Sequence, residues 1–194
     1  MNLPNKLTML RIILTPVFLA VLYWGFPGAD YVALAIFIIA SLTDLLDGKI
    51  ARKYNLVTDF GKFADPLADK ILVVAAMLWF VECGRMPAWM VMIVITREFA
   101  VSGLRMIASD NGRVIAAGWS GKVKTAATMV CIVVMLLIGP TLESWLQDVI
   151  SFTATHGPAY FLWIDPLCGW IITLTTLYSG VEYFVKNKDV IRSA

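Results

Sequence analysis

The sequence predicts an all-α, polytopic membrane protein with six transmembrane helices and both termini on the cytoplasmic side. Hydrophobic residues make up 59% of the chain and charged residues only 15%, and the mean hydropathy is +0.77. This composition is too apolar for a soluble globular protein. The apolar residues fall into six runs, each close to the roughly 20 residues that cross a bilayer as a helix. The length suits one domain, which we expect to cover residues 1–194.

The first three predicted spans run from about Leu7 to Gly25, from about Tyr31 to Lys49 and from about Gly61 to Val81. The first lacks the small-residue cleavage pattern of a secretory signal, so we expect it to remain as a helix. Phe26-Pro27-Gly28 follows it with residues that favour a turn. A polar connection from Lys53 to Asp59 separates the second span from the third.

The last three predicted spans run from about Trp89 to Ala108, from about Gly118 to Gly139 and from about Leu162 to Val185. A polar stretch at residues 141–158 separates the final two. The fourth span is the least uniform, because two arginines and a glutamate interrupt its apolar run. Charged side chains inside a span need partners, so this helix is a candidate for function.

The placement of basic residues predicts the orientation in the membrane. An even number of spans puts both termini on the same side. Of the 16 lysines and arginines, all except Arg85 fall toward that side. Basic residues accumulate in cytoplasmic segments, so we expect the termini to face the cytoplasm in a multi-pass protein of the cell membrane.

Four aspartates lie at the predicted cytoplasmic ends of the second and third spans: Asp44, Asp47, Asp65 and Asp69. The spacings i,i+3 and i,i+4 place each pair on one face of a helix. An ionised carboxylate inside an apolar span costs roughly 3 kcal/mol, and carboxylates brought close together repel unless a cation lies among them. Oxygen ligands alone favour Mg²⁺ or Mn²⁺. Four carboxylates suffice for two such ions.

Small residues and an arginine surround the aspartates in the pattern Asp44-x2-Asp47-Gly48-x2-Ala51-Arg52-x8-Gly61-x3-Asp65-x3-Asp69. Gly48 and Ala51 leave room for a ligand close to the backbone. Arg52 offers a planar set of donors that suits a phosphate. Together these residues predict a site for phosphoryl transfer, in which two metal ions contact the attacking and the leaving oxygen.

The pattern resembles the signature of the CDP-alcohol phosphatidyltransferases at all eight of its fixed positions. Residues 3–8 with Arg11, residues 96–105 and residues 121–125 resemble the branch whose acceptor is sn-glycerol 3-phosphate. The resemblance is specific through about residue 125. It implies transfer of the phosphatidyl group from CDP-diacylglycerol to that acceptor, with release of CMP. It also implies a homodimer embedded among membrane lipids.

The resemblance implies specific roles for the four aspartates. Asp44, Asp47 and Asp65 would hold a pair of divalent ions against the diphosphate of CDP-diacylglycerol. Asp69 would also lie at the metals and act as general base toward the 1-hydroxyl of the acceptor. A carboxylate one helical turn from a metal ligand can reach a hydroxyl that is held beside the same phosphate.

The resemblance also implies that the CDP moiety contacts the small residues of the motif, Arg52 and one aspartate: Asp47, Gly48, Ala51, Arg52 and Gly61. Asn5, Thr8 and Arg11 follow each other at i,i+3 spacing on the cytoplasmic turn of the first span. Three roles remain open for them: capping the helix, binding a lipid headgroup or contacting the nucleotide.

The phosphate of the acceptor needs cations that the metal site does not supply. The candidates are the basic residues toward the cytoplasmic half of the fourth and fifth spans: Arg97, Arg105, Arg113, Lys122 and Lys124. Arg97 and Arg105 lie within an apolar span, where an arginine needs a partner, and Glu98 is the candidate partner for one of them. Each cation has the alternative role of an ordinary positive-inside residue.

Three other interpretations remain open. The acceptor could be serine, inositol phosphate or phosphatidylglycerol, as in relatives that share the motif. A cation-coupled transporter would place an acidic cluster near the middle of the membrane, usually between repeated halves, and no repeat is visible here. A structural protein that only gathers anionic lipids would leave the aspartates unexplained. Nothing in the sequence indicates a nucleic-acid partner.

The three cysteines have no spacing typical of a disulfide framework or a zinc site. We expect all of them to be buried as small apolar side chains: Cys83, Cys131 and Cys168.

Overall fold

The structure, a computed structural model, describes residues 3–54, 59–110, 115, 118–139 and 161–188. Within these ranges every regular element is an α-helix, so the predicted all-α class is confirmed for them. We number the helices in chain order: α1 (Leu3–Trp24), α2 (Ala29–Tyr54), α3 (Asp59–Glu82), α4 (Ala88–Asp110), α5 (Trp119–Leu137) and α6 (Phe161–Lys186).

Each helix coincides with one of the predicted apolar runs, and the largest difference is at the end of α2. Hydropathy placed the end of the second span at Lys49, but α2 continues to Tyr54. The predicted connection was therefore too long, since Lys53 and Asp59 are both helical. Hydropathy marks where a helix leaves an apolar environment, and the backbone can stay helical beyond that point. The predicted polar stretch at residues 141–158 lies outside the described residues.

Glycines lie in the turns that follow α1 and α3, and the sequence predicted the turn after α1. Gly25 and Gly28 follow α1 with φ of 62° and 88°. After α3, Gly84 has φ of 71°. Its N–H donates to the Val81 carbonyl at 3.0 Å, and the Arg85 N–H donates to the Phe80 carbonyl at 2.8 Å. This is the Schellman arrangement, which needs a left-handed residue and therefore favours glycine.

The chain divides into two compact units. The first unit contains Met1–Trp79 and Ile132–Leu162, and the second contains Phe80–Cys131 and Trp163–Ala194. In the first unit α1 contacts α2, and the Phe18 and Phe37 rings lie 6.2 Å apart between their centroids. All the motif aspartates belong to this unit. That residues 1–194 form a single domain stays a prediction.

In the second unit α4 and α6 lie side by side and run in the same direction. The ring of Trp89, near the beginning of α4, meets the ring of Trp170, in the first half of α6, edge to face with centroids 5.7 Å apart. Further along, Arg97 donates a hydrogen bond to Ser179. Near their ends, Arg105 donates one to Tyr183. A continuous interface of this kind fixes which residues of α6 face the arginines of α4.

Two helices are long and apolar enough to cross a membrane, judged by length and composition among the described residues. They are α1, over Leu7–Trp24, and α5, over Trp119–Leu137. Each of the other four helices carries at least three charged residues, which lowers its hydropathy. Six spans and cytoplasmic termini stay predictions.

Large apolar side chains are exposed along one side of α6, at positions that recur every three or four residues: Leu167, Trp170, Ile171, Leu174, Leu177, Tyr178, Val181 and Val185. An apolar stripe along a whole helix is unfavourable in water and suits contact with lipid. The surface of α6 therefore fits a membrane protein.

The cysteine prediction is right for two residues and wrong for one. Cys131 and Cys168 are buried among apolar neighbours, as expected. Cys83 is exposed. It lies in the turn between α3 and α4, where the chain has left the packed helix, and a cysteine there gains little burial.

Candidate active site

Both pairs of aspartates lie on helices, as the sequence predicted. Asp44 and Asp47 are in α2, and Asp65 and Asp69 are in α3. Each pair therefore occupies one helical face, its members about one turn apart. The side chains of these four residues lie outside what the structure describes, and so does any contact between the pairs.

The other positions of the motif continue the same two helices. Gly48, Ala51 and Arg52 lie on α2 because that helix extends to Tyr54, and Gly61 lies in the first turn of α3. The candidate metal ligands of the motif are all carboxylate oxygens, which fit a hard divalent ion. Among the described side chains there is no group of three or more His, Cys, Asp or Glu residues that could hold a metal. The metal prediction therefore depends on the aspartates.

Thr8 and Arg11 are buried in the first unit. Thr8 has no exposed surface and Arg11 is 2% exposed. The Thr8 hydroxyl thus belongs to the interior of the unit rather than to its surface. Burying a guanidinium is costly unless polar groups surround it, so Arg11 marks a polar region inside an otherwise apolar helix. Asn5 lies in α1, but its side chain is outside the described part.

Four of the five predicted acceptor-binding cations have described side chains, and two of these share one carboxylate. Glu98 accepts a hydrogen bond from Arg97 Nη1 at 2.9 Å and another from Lys124 Nζ. The exposed fractions of the side chains are 13% for Arg97, 18% for Glu98 and 8% for Lys124. The predicted role of Glu98 as a partner for arginine is confirmed. Two cations around one carboxylate leave a net positive charge, which suits an anionic ligand.

Arg97 has a second anchor on α6. Its Nη2 donates to Ser179 Oγ at 2.7 Å. At the next residue, Gly180, an added Cβ would lie 3.1 Å from Arg97 Cγ, so glycine leaves the space that the arginine stem occupies. Arg97 Nε is buried and has no hydrogen-bond partner among the described residues.

Arg105 and Lys122 are exposed, whereas Lys124 is buried. Arg105 Nε donates to Tyr183 Oη at 3.1 Å, and the guanidinium carbon lies 5.5 Å from the centre of the Tyr183 ring. A cation over an aromatic ring is stabilised electrostatically. Arg113 lies outside the described residues.

Sequence reasoning missed the α6 residues that hold the two arginines. Ser179 and Tyr183 are one helical turn apart on α6, and each accepts a hydrogen bond from α4. The signal in the sequence that could have identified these residues is a pair of hydroxyl groups at i,i+4 spacing near the end of an apolar helix. Their partners could not be inferred, because nothing in the sequence states which helix lies beside α4.

Asp165 and Glu182, for which the sequence suggested no role, both form ion pairs. Asp165 accepts from Arg85 Nε at 2.6 Å and from Arg85 Nη2 at 2.8 Å. Glu182 accepts from Lys186, one turn further along α6. The hydrogen bond from Lys186 to Glu182 raises the pKa of the Lys186 ammonium above its ordinary value.

The sequence model of the CDP-alcohol phosphatidyltransferase family matches residues 1–178. This chain belongs to that family. The match confirms the resemblance that the aspartate motif indicated, and it makes the protein a phosphatidyltransferase. Ser179 and Tyr183 lie just beyond the matched residues, so the family pattern does not describe them.

Relatives within the family agree in their names. The CDP-diacylglycerol–glycerol-3-phosphate 3-phosphatidyltransferase of Bacillus subtilis is 41% identical, over all of this chain and 98% of its own length. The enzyme of the same name from Cereibacter sphaeroides is 33% identical over 95% of each chain. The probable phosphatidylglycerophosphate synthase of Mycobacterium tuberculosis is 43% identical over 72% of this chain and 68% of its own.

Proposed function

We propose that the protein transfers the phosphatidyl group of CDP-diacylglycerol to the 1-hydroxyl of sn-glycerol 3-phosphate, forming phosphatidylglycerophosphate and releasing CMP. The observation that carries this proposal is the similarity to the Bacillus subtilis enzyme along the entire chain. The acceptor oxygen forms a bond to the phosphorus that bears diacylglycerol. The bond from that phosphorus to the bridging oxygen of CMP breaks, and the hydroxyl proton passes to a base.

Asp44, Asp47, Asp65 and Asp69 would hold two divalent ions, Mg²⁺ or Mn²⁺. Their chemistry supports this, because carboxylate oxygens are the ligands that hard divalent ions prefer. When bound, such ions neutralise charge on a diphosphate and on the departing nucleotide. The placement of each pair on one helical face supports a shared site.

Asp69 would take the proton from the acceptor hydroxyl, as a carboxylate held within hydrogen-bond reach can. The CDP moiety would contact Arg52, whose planar donors suit its phosphates. The remaining contacts we propose for CDP are on α1, α2 and α3: Asn5, Thr8, Asp47, Gly48, Ala51 and Gly61. A contact with Thr8 would require its neighbours to move, because Thr8 has no exposed surface.

The acceptor phosphate would bind the cations of α4 and of the start of α5. Arg105 and Lys122 are exposed and can reach an anion directly. Arg97 and Lys124 are held at Glu98 and supply a net positive charge there. Arg113 completes the set that we propose. Bidentate donors make arginine well suited to phosphate.

We further propose a multi-pass protein of the cell membrane that acts as a homodimer, with the site open to the cytoplasm. The basic residues support this orientation, since all except Arg85 fall toward the side of the termini. A soluble anionic acceptor and CMP would then exchange with the cytoplasm, while CDP-diacylglycerol stays in the bilayer.

The acceptor is tested by offering the purified protein CDP-diacylglycerol, Mg²⁺ or Mn²⁺ and one acceptor at a time, and measuring released CMP. We expect release with sn-glycerol 3-phosphate. A preference for serine, inositol phosphate or phosphatidylglycerol would reject the proposed acceptor. Asp69→Asn should abolish release, because it removes a base and a metal ligand. Glu182→Gln, which removes a carboxylate outside the motif, should leave release within about twofold.

A further inference from the structure

Two hydroxyl groups of α6 each hold one arginine of α4. Ser179 Oγ accepts from Arg97 Nη2 at 2.7 Å, and Tyr183 Oη accepts from Arg105 Nε at 3.1 Å. Both side chains of α6 are buried, with 1% of Ser179 and 7% of Tyr183 exposed. Buried hydroxyls that accept from a charged donor form stronger hydrogen bonds than neutral pairs do. The two contacts are therefore fixed parts of the interface between α4 and α6.

Arg97 is held at both terminal nitrogens of its guanidinium. Ser179 accepts from Nη2 and Glu98 accepts from Nη1, and the stem passes Gly180, where an added Cβ would lie 3.1 Å from Cγ. A free arginine loses rotamer entropy when it is immobilised. In this protein the rotamer entropy of Arg97 is lost when the chain folds, so it is not lost again when a ligand binds. The Nε nitrogen is buried and has no hydrogen-bond partner among the described residues.

Arg105 is restrained at one end of its guanidinium only. Tyr183 uses the Nε hydrogen and lies with its ring 5.5 Å from the guanidinium carbon. The side chain is nevertheless exposed. Within the described residues no hydrogen bond engages its two terminal nitrogens, and these nitrogens have the parallel geometry that binds phosphate oxygens.

We infer that Ser179 and Tyr183 are positioning residues, which orient Arg97 and Arg105 toward the phosphate of the acceptor. This inference rests on the proposed function, because it assumes that the arginines bind that phosphate. The hydroxyls act through the arginines. Their loss should therefore weaken binding of the acceptor while leaving the chemical step and the binding of CDP-diacylglycerol nearly unchanged.

Tyr183→Phe tests the inference with the smallest change, because the ring that packs beneath Arg105 remains. We expect the KM for sn-glycerol 3-phosphate to rise about five- to tenfold, which is less than the full effect of a hydrogen bond to a charged group because Tyr183 acts on the phosphate only through Arg105. The kcat and the KM for CDP-diacylglycerol should stay within about twofold. Tyr178→Phe is the matched control on the same helix, since Tyr178 is 69% exposed, and it should behave as the wild type.

Ser179→Ala should likewise raise the KM for sn-glycerol 3-phosphate and leave the kcat nearly unchanged, because Ser179 acts through Arg97. The double variant should bind the acceptor more weakly than either single variant. An unchanged KM for sn-glycerol 3-phosphate in both single variants would overturn the inference. Equal rises in both KM values, with a lowered melting temperature, would also overturn it, because they would indicate a purely structural role.

A measurement that needs no turnover separates this inference from the proposed function. Inorganic phosphate that binds the folded protein raises its melting temperature. We expect a smaller rise in Tyr183→Phe and Ser179→Ala than in the wild type and in Tyr178→Phe. Equal rises in all four proteins would contradict the positioning role. A wild type that releases no CMP with sn-glycerol 3-phosphate would contradict the proposed function instead.

Discussion

Glu98 is the residue on which the polar cluster of the second unit depends. It accepts from Arg97 and from Lys124, and the side chain of Lys124 is almost fully buried. Among the described residues, removing this carboxylate leaves two largely buried cations without a counter-charge. Such losses are larger than those at the surface, because water screens the remaining charges less.

Glu98→Gln should therefore destabilise the protein by about 3 kcal/mol. Adding Lys124→Met should recover part of that loss, because it removes one of the two uncompensated cations. Thermal unfolding in detergent measures both effects. Equal melting temperatures for the wild type and Glu98→Gln would show that the cluster contributes nothing to stability.

Glycine positions allow a second test at the scale of single residues. A Cβ at Gly139 would lie 2.6 Å from Asp30 Cγ and 2.9 Å from Asp30 Cβ, closer than atoms can approach unless Asp30 or the backbone shifts. We expect Gly139→Ala to lower the melting temperature by several degrees. Gly103→Ala in α4 is the control, since no described atom lies within 4 Å of the Cβ that it would add. It should raise stability by about 0.5–1 kcal/mol, the gain of alanine over glycine inside a helix. A lower melting temperature for Gly103→Ala would contradict this.

At the scale of single residues, the sequence predicted the helical placement of the motif aspartates but not the contacts of the arginines on α4. The aspartate spacing sufficed to place both pairs on helical faces, because helical periodicity is a local property. The contacts of Arg97 and Arg105 with Ser179 and Tyr183 join residues about eighty positions apart. Hydropathy carries no information on such pairings.

Contacts between α4 and α6 fix how these two helices lie against each other within the second unit. At the start of this interface, Arg85 holds Asp165 through two hydrogen bonds, and the Arg85 guanidinium lies 5.4 Å from the centre of the Phe80 ring. The side chains of the pair are 14% and 20% exposed. Two-point contact with restricted access to water makes this an unusually strong ion pair.

Asp165→Asn should accordingly destabilise the protein by about 2 kcal/mol or more. Glu182→Gln removes a carboxylate from a pair whose lysine is 69% exposed, and an exposed helix pair contributes only about 0.3–0.5 kcal/mol. Melting temperatures of the two variants provide the comparison. A larger loss for Glu182→Gln than for Asp165→Asn would contradict the assigned strengths.

At the scale of elements, apolar runs and glycines predicted the helices within a few residues. Phe26-Pro27-Gly28 allowed the end of α1 to be predicted because these residues favour a turn, and Gly28 is left-handed in the structure. The extension of α2 to Tyr54 was missed because residues beyond Lys49 are polar yet remain helical. That extension places Ala51 and Arg52 on the same helix as Asp44.

The orientation of the whole molecule can be tested through its own cysteines. Cys83 is exposed in the turn between α3 and α4, whereas Cys131 and Cys168 are buried. The predicted topology places that turn outside the cytoplasm. A membrane-impermeant maleimide should therefore label the protein in intact cells, and Cys83→Ser should abolish the labelling. Labelling that appears only after the cells are opened would place the turn in the cytoplasm and reverse the predicted orientation.

For the molecule as a whole, composition predicted a membrane protein and the motif predicted its family. Composition is a global property of the sequence and the motif is a local one, and neither depends on knowing the packing. The family model matches residues 1–178, which include both aspartate pairs. The acceptor depends on cations distributed over α4 and α5, where each basic residue alone also fits the positive-inside rule.

Identifying the lipid product tests the transfer of a phosphatidyl group to sn-glycerol 3-phosphate most directly. The purified protein is given CDP-diacylglycerol, Mg²⁺ and isotopically labelled sn-glycerol 3-phosphate, and lipids and nucleotides are analysed by mass spectrometry. We expect labelled phosphatidylglycerophosphate and unlabelled CMP in equal amounts. Phosphatidic acid as the lipid product, or CMP release without label in any lipid, would contradict the proposed reaction.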